Sequence, residues 1–266
     1  MNSSEHKGQY HLIYGNASNM DILRNEEVDL VLAGPPYWPP EIEPLLRVPI
    51  AEQDKLEDVR REVISYGLKL RPVFQEIERV LKPGGTLVVH TRDVRYANVL
   101  IGLTDTHRNL VESAGINLFS RIYWHKMHKS SPALRFGKSP KVYSFQADDV
   151  EDVMIFRKPG FGPDAKGKVE LDASEVSKCL SPLWQMAPAS KKRIHPHQAP
   201  DTLLRRMISM FSHPGDLVVD PFAGSGSTLR MAVDMKRRAV GYEIVDSYVE
   251  NADKFVERGI SKPKVR

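Results

Sequence analysis

The sequence predicts an α/β fold in which a largely parallel sheet is covered by helices on both faces. Two observations predict it. Short apolar, β-branched runs alternate with longer runs whose apolar residues recur at helical spacing, and glycine- or proline-rich turns punctuate the ends of the strands. A chain of 266 residues with 41% hydrophobic content is also long enough to bury one large core.

The elements follow in order. His11 to Tyr14 is an apolar run ending at Gly15-Asn16 and reads as a strand. Val28 to Ala33 is a buried strand by its β-branched content, stopped abruptly by Gly34-Pro35-Pro36. A polar, proline-containing stretch runs from Trp38 to about Glu57. Val59 to Leu81 has helical periodicity and finishes at Lys82-Pro83-Gly84-Gly85. Thr86 to His90 is the next strand. Leu100 to Ala114 reads as a helix ended by Gly115, and Ile116 to Trp124 and Val150 to Phe156 as strands. Leu203 to Phe211 is amphipathic, with Asp201 or Thr202 able to cap it. Asp216 to Asp220 is a strand running into a glycine turn. A helix over Leu229 to Met235, a strand over Ala239 to Glu243 and a helix through Phe255 complete the alternation. Segments 125–149 and 157–199 break it. They are rich in Pro, Lys and His and read as loops or a small lobe inserted in one domain spanning 1–266.

The 38 basic against 34 acidic residues give a net charge of only +4, which by itself says little about partners. Its distribution says more. No acid lies between Glu112 and Asp148, where Arg121, Lys126, Lys129, Arg135, Lys138 and Lys141 fall. None lies between Glu175 and Asp201, where Lys178, Lys191, Lys192 and Arg193 fall. The single cysteine, Cys179, excludes an intramolecular disulfide and a multi-cysteine zinc site, and reads as a small packing residue. His125, His128, His195 and His197 lack the cysteine or acid neighbours that a metal site needs, so no metal is expected. Met1 to Gln9 is polar and no apolar run is long enough to span a bilayer, so the expectation is a soluble cytoplasmic protein without membrane contact.

Two segments carry chemistry. The first is the turn from Asp220 through Pro221, Phe222, Ala223, Gly224, Ser225 and Gly226 to Thr228. Its glycines let the backbone approach a ligand, and the helix start beyond offers free N–H groups. One strand later Glu243 places a carboxylate where nucleotide-binding sheets hold a ribose. The turn lacks the Gly-Lys-Ser/Thr ending of a P-loop and the third glycine of the dinucleotide fingerprint. The second segment is Gly34-Pro35-Pro36-Tyr37, followed by Trp38. Prolines fix φ and leave their carbonyls free to face a ligand, which suits an aromatic amine whose lone pair must turn toward a sulfonium methyl. Tyr37 offers a face on which an extruded base can stack. Taken alone, each segment is equally well a structural corner.

Together, and in this order, they resemble the amino-methyltransferases of restriction–modification type, in the β arrangement where the catalytic tetrapeptide precedes the cofactor turn. Tyr14 to Asn16, Arg79 to Gly85, Ile122 to Lys126 and His195 to Pro200 match further segments of that family, so the resemblance covers most of the chain. It implies a circularly permuted Rossmann-like methyltransferase fold with a mostly parallel seven-stranded sheet and a small loop-rich DNA-recognition insert. It implies S-adenosyl-L-methionine as cofactor and double-stranded DNA as substrate, with a cognate restriction endonuclease as a companion and a monomeric or homodimeric enzyme. Asp220, Phe222, Gly224, Ser225 and Gly226 would line the methionine part of the cofactor, Glu243 and Asn16 its nucleoside part. Gly34, Pro35, Pro36 and Tyr37 would hold the target base.

Three positions depart from the family pattern. Gly34 stands where Asp, Asn or Ser is usual, and so lacks the oxygen that accepts an amino hydrogen. Asn16 stands where an acid is commoner, and Ala199 where a basic residue is. Asp29, five residues before Gly34 on the same strand, is too far away to compensate. Pro-Pro-Tyr followed by Trp38 is closer to the N4-cytosine subgroup than to the N6-adenine one. Cytosine C5 chemistry needs a nucleophilic cysteine in a Pro-Cys context, which Cys179 lacks. Lys126, Lys129, Arg135, Lys138, Lys141, Lys191, Lys192 and Arg193 are the expected DNA contacts. Gly34 leaves a catalytically weak or silent DNA-binding subunit open as a second reading, and RNA as an alternative substrate.

Overall fold

The computed structural model describes residues 9–36, 55–96, 99–127, 149–160, 170–189 and 198–260. In chain order these form β1 (Tyr10–Tyr14), β2 (Val28–Ala33), α1 (Leu56–Val80), β3 (Leu81–Thr91), β4 (Val94–Tyr96), β5 (Val99–Ile101) and α2 (Leu103–Ser113). They continue with β6 (Asn117–Lys126), β7 (Val150–Arg157), α3 (Ala173–Cys179), β8 (Leu183–Met186) and α4 (Asp201–Phe211). Last come β9 (Leu217–Asp220), α5 (Ser227–Asp234), β10 (Arg238–Glu243) and α6 (Asp246–Ile260). One large sheet runs in the order β1-β10-β9-β2-β3-β7-β6-β8, and β4 and β5 form a separate two-stranded hairpin. From β1 to β3 every neighbour is parallel, whereas β7 runs antiparallel between β3 and β6.

Both faces of the central strands are buried, as parallel sheets require. On β2, Val31 and Ala33 enter one core with α1 and α2, while Leu30 and Leu32 enter the other with α4, α5 and Trp184. The buried residues of α1, among them Val59, Tyr66, Leu70, Val73, Phe74, Ile77 and Val80, recur mostly at intervals of three and four and so line one stripe of the helix. The start of β2 is locked by Asp29, whose carboxylate pairs with Lys82 and accepts from the Leu217 backbone N–H at 2.9 Å. That commitment, about 16 Å of strand away from Gly34, confirms that Asp29 serves the sheet and not the turn.

The described sheet has eight strands where seven are expected, and the difference lies in segment 157–199. β8 adds to the β6 edge in parallel, with Trp184 opposite Trp124 and almost wholly buried. It follows α3, whose start is capped by the Asp172 carboxylate accepting from the Glu175 N–H at 2.9 Å. The Asp172-x-x-Glu175 spacing is a legible helix start. Its seven residues are too few to show a helical period, and a four-residue strand set between Pro182 and Pro188 shows no alternation of its own. No helix among the described residues is long and apolar enough to cross a membrane.

Candidate active site

β2 and β9 are hydrogen-bonded parallel neighbours, with Leu30 opposite Val218 and Val31 opposite Val219. Their carboxyl ends therefore release the Gly34-Pro35-Pro36 turn and the Asp220 turn side by side, roughly one strand spacing of ~4.8 Å apart. From β9 the chain crosses through α5 to β10 on one side, and from β2 through α1 to β3 on the other. The gap between β2 and β9 is thus a topological switch point, where open α/β sheets bind ligands. The two segments chosen from the sequence, as far as Gly34 to Pro36 and Asp220 to Thr228 are concerned, leave adjacent strand ends.

The cofactor side is held by its own backbone. Asp220 ends β9 buried, its Oδ1 accepting from the Phe222 N–H at 2.9 Å, with the Thr228 hydroxyl as a second donor. Burial pushes its carboxyl up to about 6 despite those hydrogen bonds, and the nearby Glu243 carboxylate adds to the rise. Glu243, at the end of β10, accepts from the Gly224 N–H and the Val245 N–H, both at 2.9 Å, one on each carboxylate oxygen. This clamps the carboxylate while each oxygen keeps a further lone pair. The Gly15 N–H donates to the Glu243 carbonyl at 2.9 Å, which brings the exposed Asn16 to the same edge. Asn16 itself closes a local turn, its Oδ1 accepting from the Ser18 N–H at 2.9 Å.

Gly226 begins α5 in the left-handed region, at φ +72°, with no side-chain cap on the helix. A Cβ there would sit 2.9 Å from Val256 Cγ2 and 3.3 Å from the Ala252 carbonyl oxygen, so both conformation and space demand glycine. We predict that Gly226→Ala lowers stability by about 2 kcal/mol and displaces the α5 N-terminus. Thermal melts would show the loss. A variant as stable as the parent, with unchanged cofactor binding, would remove Gly226 from the site.

On the catalytic side, Pro35 is buried and Gly34 and Pro36 are exposed. A Cβ built on Gly34 meets nothing within 4 Å among the described residues. The Pro36 carbonyl accepts a hydrogen bond from the Tyr66 hydroxyl on α1. Expected to grip a ligand together with its neighbour, it is already engaged from the protein side. Tyr66 was not legible as a site residue, because on α1 it reads as one more position of the buried stripe. Tyr37, Lys129, Arg135, Lys138, Lys141, Lys191, Lys192 and Arg193 lie outside the described residues.

Lys126 is placed differently from the expectation of a phosphate contact. Its ammonium pairs with the Glu151 carboxylate and lies 5.8 Å from the Trp124 ring centroid, with its side chain only 13% exposed. His90 on β3 pairs with the other Glu151 oxygen and stacks obliquely on Trp124. Burial alone would raise the Glu151 carboxyl, but the His90 ring and Lys126 outweigh it and hold the group well below the usual carboxylate range. The last paired residues of β2 and β3 are Ala33 and Val89, so Gly34 and His90 are the next residues along neighbouring strands. Cys179 is buried, with burial pushing its thiol up, in keeping with packing and not nucleophilic chemistry.

The sheet, with its glycine turn and strand-end carboxylate beside a Pro-Pro turn at a switch point, has the architecture of a Rossmann-like methyltransferase. The family described as DNA methylase, of the N6 and N4 amino type, matches residues 28–254, and the chain belongs to it. A type II methyltransferase of Methanocaldococcus jannaschii, M.MjaI, is 32% identical, over 88% of this chain and 86% of that protein. A putative DNA modification methylase of Thermus thermophilus, TTHA0409, solved with S-adenosyl-L-methionine, superposes with a TM-score of 0.74 at 25% identity over 96% of each chain. The cytosine-N4-specific PvuII DNA methyltransferase shares the fold, with a TM-score of 0.67 at 19% identity, over 97% of this chain and 88% of that one.

Proposed function

We propose that this chain moves a methyl group from S-adenosyl-L-methionine to the exocyclic amine of a base flipped out of duplex DNA, at a specific sequence, with N4 of cytosine preferred to N6 of adenine. The observation that carries the reading is the adjacency of the β2 and β9 ends, which brings the Pro35-Pro36 turn beside the glycine turn after Asp220. The residues present fit the cofactor. The uncapped start of α5 offers N–H groups to a carboxylate, Asp220 a negative charge to an ammonium, and the clamped Glu243 two acceptor oxygens to a ribose. When bound, the cofactor supplies an electrophilic methyl group on a sulfonium.

The protein's part is positioning. The rigid Pro35-Pro36 turn orients the amine so that its lone pair faces the methyl, and Tyr37 stacks the extruded base. The amine nitrogen would take the methyl group from a cofactor held by Asp220, Glu243 and the α5 start, which leaves as S-adenosyl-L-homocysteine, the proton shed by the nitrogen passing to solvent. The basic stretches around residues 129–141 and 191–193 hold phosphates. The preference for cytosine is supported by the Pro35-Pro36-Tyr37-Trp38 sequence.

Tritiated methyl from the cofactor should enter duplex DNA, and Tyr37→Ala should cut that transfer by roughly a hundredfold through lost stacking of ~1–3 kcal/mol together with misplacement. Nuclease digestion and mass spectrometry should then find N4-methylcytosine. N6-methyladenine would overturn the base preference alone, and transfer to structured RNA in preference to DNA would overturn the substrate. The second reading, a catalytically weak or silent DNA-binding subunit, has the glycine at position 34, which offers no side-chain acceptor, in its favour. Cofactor binding without transfer to any DNA would establish it.

A further inference from the structure

Three buried side chains from separate elements converge beneath the Pro35-Pro36 turn. The Tyr66 hydroxyl of α1 donates to the Pro36 carbonyl. The same oxygen lies 3.1 Å from Nε2 of His107 on α2, and His107 Nδ1 lies 2.8 Å from the Thr91 hydroxyl at the end of β3. Tyr66 is 5% exposed, and Thr91 and His107 are fully buried.

The direction of the chain follows from valence. A proline carbonyl can only accept, so Tyr66 uses its one proton there. Its oxygen must then accept from His107, which puts the imidazole proton on Nε2 and leaves Nδ1 to accept from Thr91. Burial pushes the His107 imidazole down to about 3, so the ring stays neutral and this arrangement holds through the working pH range. Three buried polar groups are a costly way to fill space that Phe, Leu and Val would fill as well. Every donor in the chain is used, and the chain ends on a carbonyl of the catalytic turn.

We infer that Tyr66, His107 and Thr91 are positioning residues that fix the Pro36 carbonyl and, through it, the orientation of the Pro35-Pro36 turn toward the target amine. This rests on the proposed methyl transfer. Two kinds of variant separate hydrogen bonding from packing: Tyr66→Phe removes one oxygen, and His107→Gln keeps an N–H donor and an acceptor where His107→Leu keeps neither.

The single-turnover rate of methyl transfer to DNA should fall roughly tenfold to a hundredfold in Tyr66→Phe and His107→Leu and recover largely in His107→Gln. S-adenosyl-L-methionine affinity, measured by calorimetry, should stay within about twofold, because the cofactor turn is built independently. Nitrogen-15 NMR of histidine-labelled wild type should find His107 as the neutral Nε2–H tautomer. An Nδ1–H tautomer overturns the inference, as does an unchanged rate in Tyr66→Phe. A rate loss matched by an equal loss of cofactor affinity in every variant, Gln included, also overturns it, because the role is then general stability. Wild-type protein that binds cofactor but methylates no DNA defeats the proposed function instead, and the tautomer measurement then decides the hydrogen-bond chain alone.

Discussion

Asp220→Asn is expected to raise the melting temperature of the cofactor-free protein while removing most of its affinity for S-adenosyl-L-methionine. The Asp220 carboxyl is pushed up to about 6 from a reference of 3.8, chiefly by burial. A folded-state value above the unfolded one means that the group favours folding below pH ~4 and that this contribution is lost as pH rises through ~6. At 1.36 kcal/mol for each pKa unit, holding it ionised at pH 8 costs about 3 kcal/mol. Asparagine keeps the oxygen that accepts from the Phe222 N–H and sheds the charge. The expected gain is roughly 5 °C at pH 8, shrinking to nothing near pH 4.

The same charge is what an ammonium group would need in this crevice, so the variant should bind the cofactor about a hundredfold more weakly. In the parent, affinity should fall about tenfold for each pH unit below ~6, as the carboxyl takes up its proton. Calorimetric titrations across pH 5–8 and thermal melts of both proteins test this. Affinity within about threefold of the parent, or a lower melting temperature at pH 8, would refute the assignment. The stability given up at Asp220 is then the cost of a charge kept for a ligand.

Gly34→Asn is expected to accelerate methyl transfer by roughly tenfold to a hundredfold. Among the described residues an added Cβ at this position meets nothing within 4 Å, and its φ lies outside the left-handed region, so neither contact nor conformation there calls for glycine. An amide oxygen there would accept one amino hydrogen and help the nitrogen become tetrahedral. Gly34→Ala serves as the control, occupying the space without an acceptor, and should gain nothing. Equal rates for the alanine and asparagine variants would falsify the prediction. They would mean that another group already accepts the hydrogen, and the His90–Glu151 pair at the end of the adjacent strand is the first to test.

The contrast between these two positions shows how the site could be read. The candidate positions Asp220, Gly224, Gly226 and Glu243 were open to sequence reasoning because each sits at a strand end or in the turn that follows one, where a short motif encodes conformation. Gly34-Pro35-Pro36 was legible for the same reason. Tyr66, His107 and Thr91 were not, because their functional direction depends on helices crossing a sheet. The hydrogen-bonded pairs among them are 41 and 16 residues apart in sequence, and each residue fits the buried pattern of its own element. Lys126 shows the opposite failure. A lysine in an acid-free stretch reads as a surface cation, yet an antiparallel neighbour strand brings Glu151 to it from 25 residues further along.

By itself, the sequence determined the α/β class, most of its strands and helices, and the position of the two turns of the candidate site, because backbone preference and hydrophobic period are local properties of the chain. Only the tertiary structure decided that β9 lies beside β2, that β8 extends the sheet, and that the Pro36 carbonyl is held from below by Tyr66. Those facts depend on which distant surfaces pack and which buried polar groups find partners, and that is a property of the whole folded core.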